Sequence, residues 1–181
     1  ESKNMEIEYS SDSLNWTKYT KPFNLTNTTT LYARGSRYKH KYRKFSQNII
    51  KSKSTGKQVK YLTPYSKHYK GNGEKNLTNR LTRSTEKYKD GHYQGFYGTN
   101  FEAIVDLEKI IRISEIHTTF FQYYLSWIVL PTSVSYFISD NGTEFTKIAT
   151  INNPINLMKE GKFKHDFVIN NQNIKGRYLK I

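Results

Sequence analysis

The sequence predicts an all-β protein, a sandwich of short antiparallel strands, and three observations carry that expectation. No window of 12 or more residues holds a sustained apolar period of 3.6; Leu77–Tyr88 comes nearest and is broken by Thr and Arg. Alternating apolar and polar residues recur instead. Turn-forming clusters separate these runs at short intervals, as in a sandwich.

The elements follow in order. Met5–Tyr9, Thr29–Arg34 and Tyr42–Ile50 read as small strands, with Ser10-Ser11-Asp12-Ser13 as a turn and Lys21-Pro22-Phe23 as an extended segment. Lys51-Ser52-Lys53-Ser54-Thr55-Gly56-Lys57 has the composition of a linker. Phe101, Ala103, Val105 and Leu107 alternate with Glu102 and Asp106. Val134, Tyr136 and Ile138 lead into Asp140-Asn141-Gly142, followed by Phe145, Ile148 and Ile151. Asn-Gly between two strand-like runs predicts a tight hairpin with positive φ at both turn residues. Phe163, His165, Phe167 and Ile169 share one face, and Arg177–Ile181 forms a last strand. The reading is residues 1–50 as one small module, 51–57 as linker and 58–181 as the sandwich. About 50 residues are too few for an independent sandwich, so the first module is expected to be partial.

Composition narrows function. The 181 residues carry 29 Lys+Arg against 15 Asp+Glu, a net charge of +14, with a mean hydropathy of −0.79. Hydrophobic residues make up only 35%, but 15 tyrosines and 10 phenylalanines supply large side chains for a core. Between Arg34 and Lys89 there are 17 basic and 2 acidic residues, so this stretch alone holds the whole excess. Such a block attracts nucleic acid, anionic glycans or anionic lipid. Arg37-Tyr38-Lys39-His40-Lys41-Tyr42-Arg43-Lys44 interleaves aromatics with cations, as single-strand binders do; a strand with a solvated lysine face has the same pattern. The absence of cysteine excludes a disulfide scaffold and any Cys-ligated metal. No apolar run approaches the roughly 20 residues of a membrane helix, so membrane insertion is not expected. A start at Glu1, with neither Met nor signal-peptide pattern, predicts a fragment of a longer parent.

No catalytic constellation is evident. Glycoside hydrolysis needs two facing carboxylates, whereas Asp90, Glu102, Asp106, Glu115 and Asp140 are scattered singly, and no Asp-Glu dipeptide occurs. The five histidines lack metal-ligand spacing, so no cofactor is required by any motif. Sugar binding needs a flat aromatic surface bordered by planar polar groups. His92, Tyr93, Gln94, Phe96 and Tyr97 form one such loop, Tyr123, Tyr124 and Trp127 a second, and Arg83 adds a guanidinium. Each has a packing alternative, above all Phe96 and Trp127 as core or loop-packing side chains.

An ordered series of motifs carries a resemblance. It runs Leu77-Thr78-Asn79-Arg80-Leu81-Thr82-Arg83-Ser84, Tyr88-Lys89-Asp90-Gly91-His92-Tyr93-Gln94-Gly95-Phe96, Ile104-Val105-Asp106-Leu107, Phe120-Phe121-Gln122, Trp127-Ile128-Val129-Leu130-Pro131 and Ser139-Asp140-Asn141-Gly142. Together these resemble the coagulation factor V/VIII type C (discoidin-like) domain. The nearest variant is the one at the C-terminus of bacterial, Bacteroidetes-type β-N-acetylhexosaminidases and some α-L-fucosidases. Ile7-Glu8-Tyr9-Ser10 and Leu31-Tyr32-Ala33 look like the end of the fibronectin-III-like chitobiase C-terminal module that precedes it. The resemblance implies a jelly-roll sandwich with loop-borne sugar sites, exported in a bacterium as the non-catalytic part of a glycoside hydrolase. Its implied partners are glycans and the parent's catalytic domain. The alternatives are a domain that only braces that catalytic domain, or a polyanion-binding module using the basic face 34–89. The resemblance also implies a structural calcium at Leu77, Asn79 and Ser84. Here Asn79 stands in place of the family's Asp, which removes a charge that calcium favours.

Overall fold

The computed structural model describes residues 5–38, 40–80, 85, 86, 88 and 91–181, with backbone alone at 171 and 172. It is all-β: ten strands in two antiparallel sheets, with two single turns of 3-10 helix at Gly73–Lys75 and Tyr124–Ser126. The chain divides into two compact units, Glu1–Lys53 with Arg80–Thr82, and Ser54–Asn79 with Arg83–Ile181.

The first unit contains β1 (Glu6–Ser10), β2 (Thr17–Lys18), β3 (Thr29–Arg37), β4 (His40–Lys41) and β5 (Phe45–Ile49). β3 is its spine, pairing with β1, β4 and β5. Residues paired across strands share a face, so Ile7, Tyr9, Leu31, Ala33, Phe45 and Ile49 lie together. The other face is polar and tied by ion pairs: Glu8 holds Arg34 at 2.8 Å and Lys41 at 2.6 Å, and Glu6 holds Lys18. These two cations keep the Glu8 carboxyl below the usual carboxylate range.

The second unit contains β6 (Val59–Tyr61), β7 (Ala103–Tyr123), β8 (Ser133–Ser139), β9 (Thr146–Asn152) and β10 (Lys162–Lys180), ordered β6-β7-β10-β8-β9. The sequence reading marked only the first part of β7 and split β10 in two. The reason is a change of phase: buried positions on β7 are 103, 105, 107 and 113, then 116, 121 and 122. Among the described residues of β10 they are 167 and 169, then 174, 176 and 179, with register shifts after Asn170 and after Gly176. A single period of two therefore cannot follow either strand to its end. These long strands carry the sheet around the core. β8 meets β10 in register only at Tyr178–Lys180, yet its Tyr136, fully buried, donates its hydroxyl to the carbonyl of fully buried Phe167 at 3.1 Å. Ile113, Ile116, Val134 and Ile169 fill the space around that pair.

The β8–β9 turn differs from the two-residue hairpin expected. Six residues connect the strands, and Gly142 alone of the Asn-Gly pair has positive φ, at 78°. Asn141 instead uses its side chain, whose Oδ1 accepts from the N–H groups of Thr143 and Glu144 at 3.0 Å each. Ser139 Oγ accepts from Gly142 N–H at 2.9 Å, closing the turn from the other side.

Gly176 lies at the second register shift, close to Ile138 and Ser139 of β8. A Cβ there would stand 2.4 Å from Ile138 Cγ1 and 3.3 Å from the Ser139 carbonyl oxygen. Overpacking of this kind costs about 1–3 kcal/mol. Gly176→Ala is therefore expected to lower the thermal midpoint in calorimetry by several degrees. An unchanged midpoint would mean that β8 and β10 are not so closely apposed.

Candidate functional site

The candidate loops lie on the second unit, and Phe121 at the end of β7 joins them. Phe121 is 7% exposed although it lies on the face opposite its buried neighbour Gln122. Its cover is aromatic. The Tyr93 ring packs on it at 4.8 Å and the Tyr88 ring stacks on it at 5.6 Å. Tyr88 also meets the edge of Tyr123 at 5.4 Å, and its hydroxyl lies 3.2 Å from Ser126 Oγ. Lys162 Nζ stands over the rings of Tyr123 and Tyr88, at 5.3 and 5.8 Å. The loop around residues 92–97 and the loop after β7 are thus one structure.

The residues within the first loop divide by environment. Gln94 is bound into the fold: its Oε1 accepts from Tyr61 OH at 2.7 Å, and its Nε2 donates to the carbonyls of Lys70 and Gly73 at 3.3 and 3.2 Å. Burial pushes the Tyr61 phenol up to about 12. Phe96 stacks on Tyr61 at 6.3 Å and meets the edge of Phe101 at 5.0 Å, which fits the packing alternative. His92 is exposed and Tyr97 is 92% exposed.

The second loop is a tight reversal. β7 ends at Tyr123, a 3-10 turn follows, and Ile128 pairs back antiparallel to Tyr123. Trp127 is at the tip, with φ 57° and ψ 27°, and is 89% exposed. A bulky residue in the left-handed region costs about 1–2 kcal/mol. Tyr124 beside it is half-buried. Gln122, which the sequence reading cited only as part of a motif, anchors this loop. It is fully buried; its Oε1 accepts from Leu130 N–H at 3.3 Å and its Nε2 donates to the Lys159 carbonyl at 2.9 Å. Only the burial of a polar residue beside two phenylalanines could have flagged it.

The expected calcium loop is held by its own bonds. Thr78, 1% exposed, donates its hydroxyl to the Lys57 carbonyl at 2.9 Å, and its own carbonyl accepts from Gly56 N–H at 2.9 Å. Leu77 and Asn79 flank it, both half-buried. Ser84 and Arg83, with Leu81, Thr82, Lys89 and Asp90 of the motifs, lie outside the described residues. Among the described residues no three His, Asp or Glu side chains converge on a metal position. Among the described residues no helix is long and apolar enough to cross a membrane.

No model of a known protein family matches the chain, and no curated protein matches it. Among solved structures, it is similar to the C-terminal domain of a chitobiase from Bacteroides fragilis. The two share 17% identity over 68% of this chain and 78% of that one, with a TM-score of 0.38. A likeness at this level does not establish a shared fold.

The strained, solvated Trp127 supplies a direct test. If its side chain contributes nothing to packing, Trp127→Gly relieves the backbone and holds or raises stability by up to about 1 kcal/mol. Thermal melts should show an equal or higher midpoint. A fall of several degrees would instead make Trp127 a packing residue.

Proposed function

We propose that the chain is a non-catalytic, carbohydrate-binding accessory region of an exported bacterial glycoside hydrolase, of the β-N-acetylhexosaminidase type. The observation that carries sugar binding is Trp127: a large aromatic held in a costly left-handed conformation and 89% exposed. Backbone strain of this kind concentrates at functional sites, and an exposed indole face suits the apolar side of a pyranose. Tyr97 and His92 are the exposed side chains of the neighbouring loop, with Tyr93 and Tyr124 half-buried beside them. Gln94 and Phe96 act by shaping the loop.

The acidic residues support the non-catalytic part of this reading. Asp106 is bound by Arg177 through two 2.8 Å bonds, Glu8 by Arg34 and Lys41, and Asp166 by Thr119. Carboxylates engaged in this way are poorly placed for the paired acid and base of glycoside hydrolysis. Binding through one shallow aromatic loop is weak by itself. It acts by raising the parent enzyme's local concentration on glycan. The hexosaminidase parent and the export are carried over from the motif resemblance alone.

A second reading has its own observation. Tyr38 is 90% exposed, with the Arg37 guanidinium 5.7 Å from its ring, in the most basic part of the chain. That arrangement suits a sulfated glycan or a nucleic acid.

A glycan array probed with this chain separates the readings. The expected result is binding to neutral terminal sugars that survives a rise from about 0.1 to 0.5 M salt. It should be weakened in Trp127→Gly and unchanged by calcium or chelator. Signal confined to polyanions and falling steeply with salt would establish the second reading. No signal on any glycan would leave the domain as a brace for its parent.

A further inference from the structure

The first unit carries a cleft of its own. Segment 21–27 returns across the apolar face of the sheet, and the Phe23 ring stacks on Tyr9 at 4.4 Å with an interplanar angle of 24°. The Tyr19 edge meets Phe23 at 6.4 Å, and Phe23 remains 41% exposed. Between this segment and the sheet is a cleft of about 410 Å³, within the size range of small-molecule sites. Tyr9, Thr17 and Leu31 line it from the sheet, and Asp12, Asn24 and Asn27 from the loops.

The chemistry of these walls is selective. The lining contains no lysine, arginine or histidine. It does contain one carboxylate. Asp12 Oδ1 accepts from the N–H groups of Leu14 and Asn15 at 2.8 Å each, while Oδ2 accepts only from Asn15 Nδ2 at 2.7 Å, which leaves lone-pair capacity. Its bonds to Asn15, Leu14 and Ser10 hold the carboxyl far below the usual range, so it stays ionised. The side chains of Asn24 and Asn27 are exposed and make no hydrogen bond among the described residues. Each offers a planar amide with both donors and an acceptor.

We infer that this cleft binds a neutral pyranose, stacked on Phe23 and hydrogen-bonded by Asn24, Asn27 and the Asp12 carboxylate. A carboxylate without a facing cation repels anionic sugars, whereas paired planar amides and one acceptor match vicinal hydroxyls. The cleft is lined by residues of the first unit alone, and the inference does not depend on the Trp127 loop binding anything. Two sugar sites on one chain would add through multivalency.

The test is a ¹⁵N NMR titration of the 181-residue chain with the neutral methyl glycosides of glucose, galactose, mannose and N-acetylglucosamine, and with methyl glucuronide as the anionic control. At least one neutral glycoside should shift the amides of Asn15, Asn24 and Asn27 saturably, and the glucuronide should bind at least about tenfold more weakly. Phe23→Ala should weaken binding about tenfold while leaving any response of residues 92–97 intact. Should Phe23→Ala disturb the fold, Asn27→Ala, at an exposed position, should still weaken binding severalfold. No shift at these amides up to about 50 mM of every neutral glycoside would overturn the inference. So would equal binding of the glucuronide.

Discussion

Phe121 and Gln122 are adjacent on β7, and the site depends on their facing opposite ways. Successive residues of a strand alternate between faces, so one register places both: 7% exposure for Phe121 and 0% for Gln122. Phe121 becomes the floor for Tyr88 and Tyr93. Gln122 reaches the Lys159 carbonyl and the Leu130 N–H, fixing two loops to the strand end. A slip of one residue would exchange an aromatic floor for an amide and bury an unsatisfied side chain on the other face. The position of Trp127 follows, because its turn is closed by the Tyr123–Ile128 pairing directly beyond Gln122.

The two units solve the same problem differently. In the second, two long strands curve around a core of Phe167, Tyr136 and their neighbours, and the sheet buries its own apolar face. The first, one sheet spanning about 50 residues, leaves Phe45 68% and Ile7 50% exposed, and its apolar face is partly crossed by the segment bearing Phe23. The turns are shared in chemistry. Ser10-Ser11-Asp12-Ser13 and Ser139-Asp140-Asn141-Gly142 both use a serine hydroxyl and an Asx side chain to collect backbone N–H groups, ending on a residue of positive φ.

The all-β class was legible in the sequence because alternation is local: Ala103, Val105 and Leu107 are all buried, as are Phe167 and Ile169. The lengths of β7 and β10 were not legible, because bulges shift the phase and are fixed by partner strands far away in sequence. The same holds for the site. The aromatic loops could be recognised by composition, but their meeting at Phe121 required the fold. Gln94 looked like a ligand-facing amide, yet it bonds Tyr61, Lys70 and Gly73, partners 21 or more residues away. The local charge of residues 34–89 was evident from sequence, whereas the placement of Lys162 over the rings of Tyr88 and Tyr123 was not.

Tryptophan fluorescence tests the central claim most directly, since the chain has only Trp16 and Trp127. With Trp16→Phe, emission reports the loop tip alone, and its high exposure predicts a long-wavelength maximum. Titration with a neutral sugar selected on the array should shift that emission to shorter wavelength, saturably and independently of salt, as the indole is covered. Trp127 emission left unchanged by every neutral sugar that binds the chain would contradict the account.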